Sequence, residues 1–246
     1  MLAAFCLWLL SLPAACAGGY IQQWARGSVV LTTGDTVDGP VAYHHDEETL
    51  EVRLRDGTVR TFAAVNVSYF IVTNEVKQRQ QGYAGPIIGP SYYGTYPYRS
   101  GLWPPPGTGR SDTSRVKLFV TYLWNRGNDY SDFRAPAFFQ QLTDGNVRLL
   151  KRERIVERLV SPADPYYRYS GYPYGGGYYT DIQTQYFLAD PQGNLTQLRN
   201  VKKDFLAYFG RNGKKIQAYA KENRLSFSQP NELLLIMRYA DSLGKG

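Results

Sequence analysis

The chain is poor in the residues on which most enzyme chemistry depends. It has two Cys and two His among 246 residues. Both Cys, Cys6 and Cys16, fall in the first 17 residues, so their removal would leave no thiol for a Cys–His nucleophile pair. The two His are adjacent, His44-His45. Neighbours on a strand point to opposite faces, and no third His completes a zinc site. No G-x-S-x-G elbow is present. The stretch Gly210-Arg211-Asn212-Gly213-Lys214-Lys215 has the composition of a phosphate loop without its spacing or its strand context; it reads as the end of one helix and the start of the next. Long apolar runs are absent beyond the first 17 residues, which excludes a polytopic membrane protein. Negative charge is the scarcer sign, 21 Asp and Glu against 28 Lys and Arg.

The start of the chain reads as an export signal, residues 1–17. Leu2 to Leu12 is apolar, Pro13 breaks it, and Ala15-Cys16-Ala17 supplies the small-x-small pattern of signal peptidase. No Lys or Arg precedes the run. Cys16 admits a lipoprotein reading, although Pro13 stands where a lipobox prefers Leu. The expected localisation is the periplasm, the outer membrane or the exterior, with no transmembrane span in the mature chain.

Two segments are dense in Tyr, Gly and Pro. Residues 82–110 carry five Tyr and residues 161–180 carry seven, so 12 of the 21 Tyr lie in them. Gly and Pro at this density interrupt helix and strand alike. They divide the chain into an N-terminal β block (18–78), a first loop (79–112), a middle β block (113–160), a second loop (161–180) and a C-terminal region (181–246).

Strand signals dominate both blocks. Ser28–Thr33, Val37–Tyr43, Leu50–Leu54, Val59–Ala63 and Val67–Thr73 are short β-rich runs, and Leu50, Val52 and Leu54 alternate with charged residues. Asp56-Gly57 and Asp144-Gly145 read as tight hairpin turns. Val116–Trp124, Ala137–Leu142, Val147–Val156, Ile182–Leu188 and Leu195–Leu198 continue the pattern. The phrases LRDGTVR, LTDGNVR and LADPQGNLTQL are loosely alike; shared turn chemistry explains them more simply than duplication. From Asn200 the period becomes helical. Asn200, Asn212 and Ser228 are the expected caps of three helices, Val201–Phe209, one around Ile216–Ala220, and Glu232–Leu243. The last should bury Leu233, Leu234, Ile236, Met237, Tyr239 and Ala240. The expected fold is therefore β-rich α+β: antiparallel hairpin sheets or a partly open barrel, with a three-helix C-terminal segment.

The tail from Val201 to Leu243, with its IQAYAKENRLSF core, and the opening GSVVLTTGDTVDGPVAY together resemble the ends of an uncharacterised exported protein family of Bacteroidota. The likeness covers the first block and the last 50 or so residues. It implies the cell envelope and no catalytic residues. The Tyr-rich segments are not part of it.

No catalytic, metal or cofactor residue is assigned from the sequence, and His44-His45 with Asp46, Glu47 and Glu48 reads as a solvated loop. Paired carboxylates carry no local motif, so an envelope enzyme acting on glycans or peptidoglycan stays open as the alternative to a non-catalytic binding or structural protein. The candidate contact residues are aromatic: Tyr92, Tyr93, Tyr96, Tyr98, Trp103, Tyr166, Tyr167, Tyr172, Tyr174, Tyr178 and Tyr179. Tyr offers rigid apolar area with a hydroxyl, which suits an envelope protein or a glycan; a loop without a ligand fits equally. A second candidate surface is basic. Residues 199–245 hold ten Lys and Arg against four acids. Lys202, Lys203, Arg211, Lys214 and Lys215 would face an anionic lipid or another acidic surface, or form a solvated helix face. Export argues against nucleic acid as partner.

Overall fold

A computed structural model describes residues 20–76, 111–112, 116–127, 130, 132–159 and 178–244. The expected signal segment and most of both Tyr-rich loops lie outside these residues. The β-rich α+β expectation holds. Among the described residues eleven strands form one antiparallel sheet, and three helices follow it.

The strands are β1 (Ile21–Leu31), β2 (Thr36–His44), β3 (Thr49–Arg53), β4 (Val59–Ala63), β5 (Val67–Val76), β6 (Ser111–Asp112), β7 (Lys117–Trp124), β8 (Ala135–Gln141), β9 (Arg148–Leu159), β10 (Tyr178–Ala189) and β11 (Leu195–Leu198). Ten of them lie in the order β11-β10-β9-β8-β7-β5-β1-β2-β3-β4, and β6 pairs the end of β5. The path has two ends, so the sheet is open. It is nevertheless curled. β4 and β5 are four strand spacings apart along the sheet, about 19 Å if it were flat. The turn Ala64–Asn66 alone joins them, and the four Cα steps from Ala63 to Val67 reach about 14 Å at most. Curling brings the two strands within that reach and wraps β1 to β5 around Trp24, Val41, Tyr43, Leu50, Phe70 and Val72, with Phe119 and Phe138 from β7 and β8 on the same core.

Three hairpins use one turn chemistry. In each, three residues link a closing pair and the last is a glycine with positive φ: Gly34 between Leu31 and Asp35, Gly57 between Leu54 and Thr58, Gly193 between Asp190 and Asn194. This is the bulged three-residue loop, so at Asp56-Gly57 the glycine alone takes the positive φ. Asp144-Gly145 behaves differently from expectation. Leu142 N–H bonds to Leu149 O, and Leu149 N–H bonds to Thr143 Oγ1 at 2.8 Å. The connection is long because it docks on the last helix, where Asn146 N–H donates to Asp241 Oδ1 at 3.0 Å.

Several boundaries also differ. β1 begins at Ile21 instead of Ser28. A bulge between Trp24 and Gly27 breaks the alternation that would have marked it. Tyr178–Thr180 open β10, paired with residues 157–159 of β9, because a waiting partner strand overrides the low-complexity context. Ser111–Asp112 pair with β5.

The helices are α1 (Val201–Tyr208), α2 (Gly213–Glu222) and α3 (Pro230–Leu243). Asn200 caps α1 as expected, its side chain accepting from Lys203 N–H at 3.1 Å. Asn212 makes no such bond, since a short 3-10 turn at Gly210–Asn212 already leads into α2. Ser228 is not the cap of α3. Gln229 holds that place, Pro230 supplies the pre-set φ of the first turn, and Glu232 accepts Ser226 N–H at 2.6 Å. The helices pack Phe205, Ile216, Ala220, Leu233, Ile236, Met237 and Ala240 onto Leu149, Tyr186 and Leu188 of the sheet. Leu234 and Tyr239, expected in that set, are half-buried. Among the described residues no helix is long and apolar enough to cross a membrane.

Candidate functional site

The polar centre of the molecule lies where β8 and β9 part. Their ladder holds at Gln140–Lys151 and Gln141–Leu150 and then stops. Phe138 is left with backbone groups facing a gap. Two charged side chains fill it. Glu48 Oε2 accepts Phe138 N–H at 3.0 Å, and Arg152 Nη1 donates to Phe138 O at 3.1 Å. Arg152 Nη2 closes the arrangement on Glu48 Oε1. The ion pair thus takes the place of a strand. Glu48 reaches it from the β2–β3 turn, where its φ of 52° turns the chain back; its carbonyl accepts Ala64 N–H at 3.0 Å, and Tyr43 Oη donates to its carboxylate at 3.1 Å. The Arg152 guanidinium lies 4.7 Å from the Trp124 ring centre, a cation–π contact that further compensates its burial.

A second set of groups adjoins the first. His45 is 4% exposed and sits between the rings of Tyr20 and Tyr43, at 4.5 and 3.9 Å. Its Nε2 lies 3.0 Å from Gln22 Oε1, an acceptor, which places the proton on Nε2. Gln22 Nε2 reaches Tyr20 Oη at 3.0 Å, Glu153 Oε2 at 2.9 Å and Glu75 Oε1 at 3.4 Å. Tyr20 Oη donates to Glu153 Oε2 at 2.9 Å. Lys151 pairs with Glu153, and Lys117 with Glu75, each at 2.5 Å. Gln22 therefore ties β1 to the end of β5 and to the middle of β9.

The reading of His44 to Glu48 as a solvated loop is corrected. Asp46 and Glu47 are exposed, but His45 and Glu48 are buried. The curl of the sheet folds this turn onto β8 and β9, and local sequence carries no mark of that. Among the described residues, His, Asp and Glu gather in no group of three or more able to hold a metal ion.

Burial and neighbouring charges move the pKa values of the clustered groups away from neutral pH. Burial, then Arg152, holds His45 down at about 3, so it is uncharged at pH 7. Burial pushes the Tyr43 phenol well up, and with the Glu153 charge does the same to Tyr20. Burial opposes the charge on Glu153, but Lys151 and Tyr20 outweigh it and lower its pKa. For Arg152, Tyr43 and Glu48 likewise outweigh burial and raise it. A general acid or base works best with a pKa near the operating pH, and these shifts go the other way. The cavity among Gln22, Tyr43, His45, Gln140, Arg152 and Glu153 is about 10 Å³, room for one water.

Of the aromatic candidates, Tyr92, Tyr93, Tyr96, Tyr98, Trp103, Tyr166, Tyr167, Tyr172 and Tyr174 lie outside the described residues. Tyr178 and Tyr179 stand on β10 opposite residues 159 and 158. The basic candidates Lys202, Lys203, Arg211, Lys214 and Lys215 are all exposed, on α1, the 3-10 turn and α2. Lys202 and Lys203 occupy the first turn of α1, and Lys214 and Lys215 that of α2, which holds no acid. Cations there oppose the helix dipole by about 0.3–1 kcal/mol each, so helix stability does not account for them. Comparison with protein-family models, with curated proteins and with solved structures finds no match.

Proposed function

We propose that this chain is a non-catalytic protein of the cell envelope with a binding or structural role. The observation that carries the reading is the state of its buried titratable groups. They gather around a water-sized cavity, and the pKa shifts of His45 and Tyr43 take them out of the range that proton transfer at neutral pH requires. Lys202, Lys203, Arg211, Lys214 and Lys215 lie exposed on the helical segment. Export rests on the apolar start and Ala15-Cys16-Ala17.

Fractionation of the native host with mass spectrometry of the protein's N-terminus tests the reading. The expected result is recovery from the envelope or the exterior with Gly18 as the first residue. A cytosolic protein that keeps Met1 overturns it, and a diacylglyceryl Cys16 replaces the processing step with lipidation.

A further inference from the structure

We infer that the exposed face of α1 and α2 docks on an anionic lipid surface through headgroup phosphates; this partner rests on the envelope reading above. Lys202, Lys203, Arg211, Lys214, Lys215 and Lys221 are exposed, and among the described residues none of them makes an ion pair. Lys117–Glu75 and Lys151–Glu153 pair within the sheet, and Arg152 of β9 pairs with Glu48 of the β2–β3 turn. The nearby acids are partly occupied. Asp204 accepts Asn200 N–H at 2.7 Å, and Glu232 accepts Ser226 N–H at 2.6 Å. Residues 199–245 hold ten Lys and Arg against four acids, so positive charge is concentrated in the helical segment, and those six cations lie exposed.

The form of the charge selects the partner. Lys is a mobile point charge without the fixed fork that recognises one carboxylate or phosphate, and five of these six cations are Lys. Lys214 and Lys221, two turns apart on α2, lie off the stripe of Gly213, Ile216 and Ala220 that packs inward. A spread of such charges fits a continuous anionic plane. The apolar sides of both helices are already spent on the sheet, Phe205 from α1 and Ile216 from α2 being fully buried. Association is thus electrostatic and at headgroup level, without insertion, and it weakens as salt shortens the Debye length.

The test is co-sedimentation of the protein, as recovered from the cell, with phosphatidylcholine vesicles with or without phosphatidylglycerol. Binding is expected only with phosphatidylglycerol, and is expected to vanish near about 1 M salt, where the Debye length is about 3 Å. One Lys near such a surface is worth about fivefold in partitioning, so Lys202→Gln/Lys203→Gln and Lys214→Gln/Lys215→Gln should each weaken binding about 20- to 30-fold. Melting curves show whether the variants stay folded, and the salt titration of the unaltered protein is independent of them. Equal binding to both vesicle types, salt-insensitive binding, or folded variants that bind unchanged would each overturn the proposal. So would retention on heparin without vesicle binding, which assigns the face to an acidic polymer. A cytosolic protein that binds the anionic vesicles loses the envelope reading and keeps this one; an envelope protein that ignores them does the reverse.

Discussion

Arg152 and Glu48, 104 residues apart, meet across the backbone of Phe138 and hydrogen-bond its carbonyl and its N–H from the two sides. The pair does the work of a β-strand at the one place where β9 leaves β8. Each charge is compensated by the other, by Phe138, and by Tyr43 or Trp124.

Removal of one partner should therefore be costly. Glu48→Ala leaves a buried guanidinium and an unpaired Phe138 N–H, and a broken buried pair costs about 3–5 kcal/mol. Urea unfolding is the measurement. A cost below about 1 kcal/mol, the range of exposed pairs, would show that the pair is solvated.

His45 makes stability depend on pH. Its folded pKa of about 3 lies below the unfolded value near 6.5, so between them the unfolded chain binds the extra proton. Stability from this group is full above pH 6.5 and falls as pH drops, by up to about 1.4 kcal/mol per unit. Glu153, whose folded pKa is lowered from 4.5, loses its contribution only at lower pH. His45→Phe should flatten the slope between about pH 6.5 and 5, whatever it does to the stability at pH 7. An unchanged slope would mean that His45 titrates normally in the folded state.

Gly39 has no room for a side chain. A Cβ there would overlap the carbonyl oxygen of Arg53, which is backbone and cannot swing aside. Gly39→Ala should force β2 and β3 apart and cost about 1–3 kcal/mol as an overpacked site. A melting temperature equal to the parent's would show that the strands already stand further apart.

The third helix should behave as core on one side only. Ile236 and Met237 are fully buried, whereas Leu235 is 44% exposed. Ile236→Ala and Met237→Ala are each expected to cost about 2–5 kcal/mol, and Leu235→Ala under about 0.5 kcal/mol. Three similar small values in urea unfolding would show an undocked helix.

Much of this architecture was legible residue by residue. Alternation at Leu50, Val52 and Leu54 marks β3, glycines at 57 and 193 close their hairpins, and Asn200 starts α1. These features depend on backbone sterics and on neighbours a few positions away, which a sequence displays directly. At two places where such cues gave the wrong answer, a distant partner had intervened. Asp241 drew the Asp144-Gly145 connection out of a tight turn, and β9 extended β10 back to Tyr178. The pairing of β5 with β1, the curl it imposes, and the burial of His45 and Glu48 were decided only in three dimensions. A contact across 104 residues leaves no period in the sequence, and a charged residue on a strand looks the same whether water or an opposite charge awaits it. The basic helices were visible from composition alone; that Lys117, Lys151 and Arg152 of the sheet meet carboxylates is a result of packing.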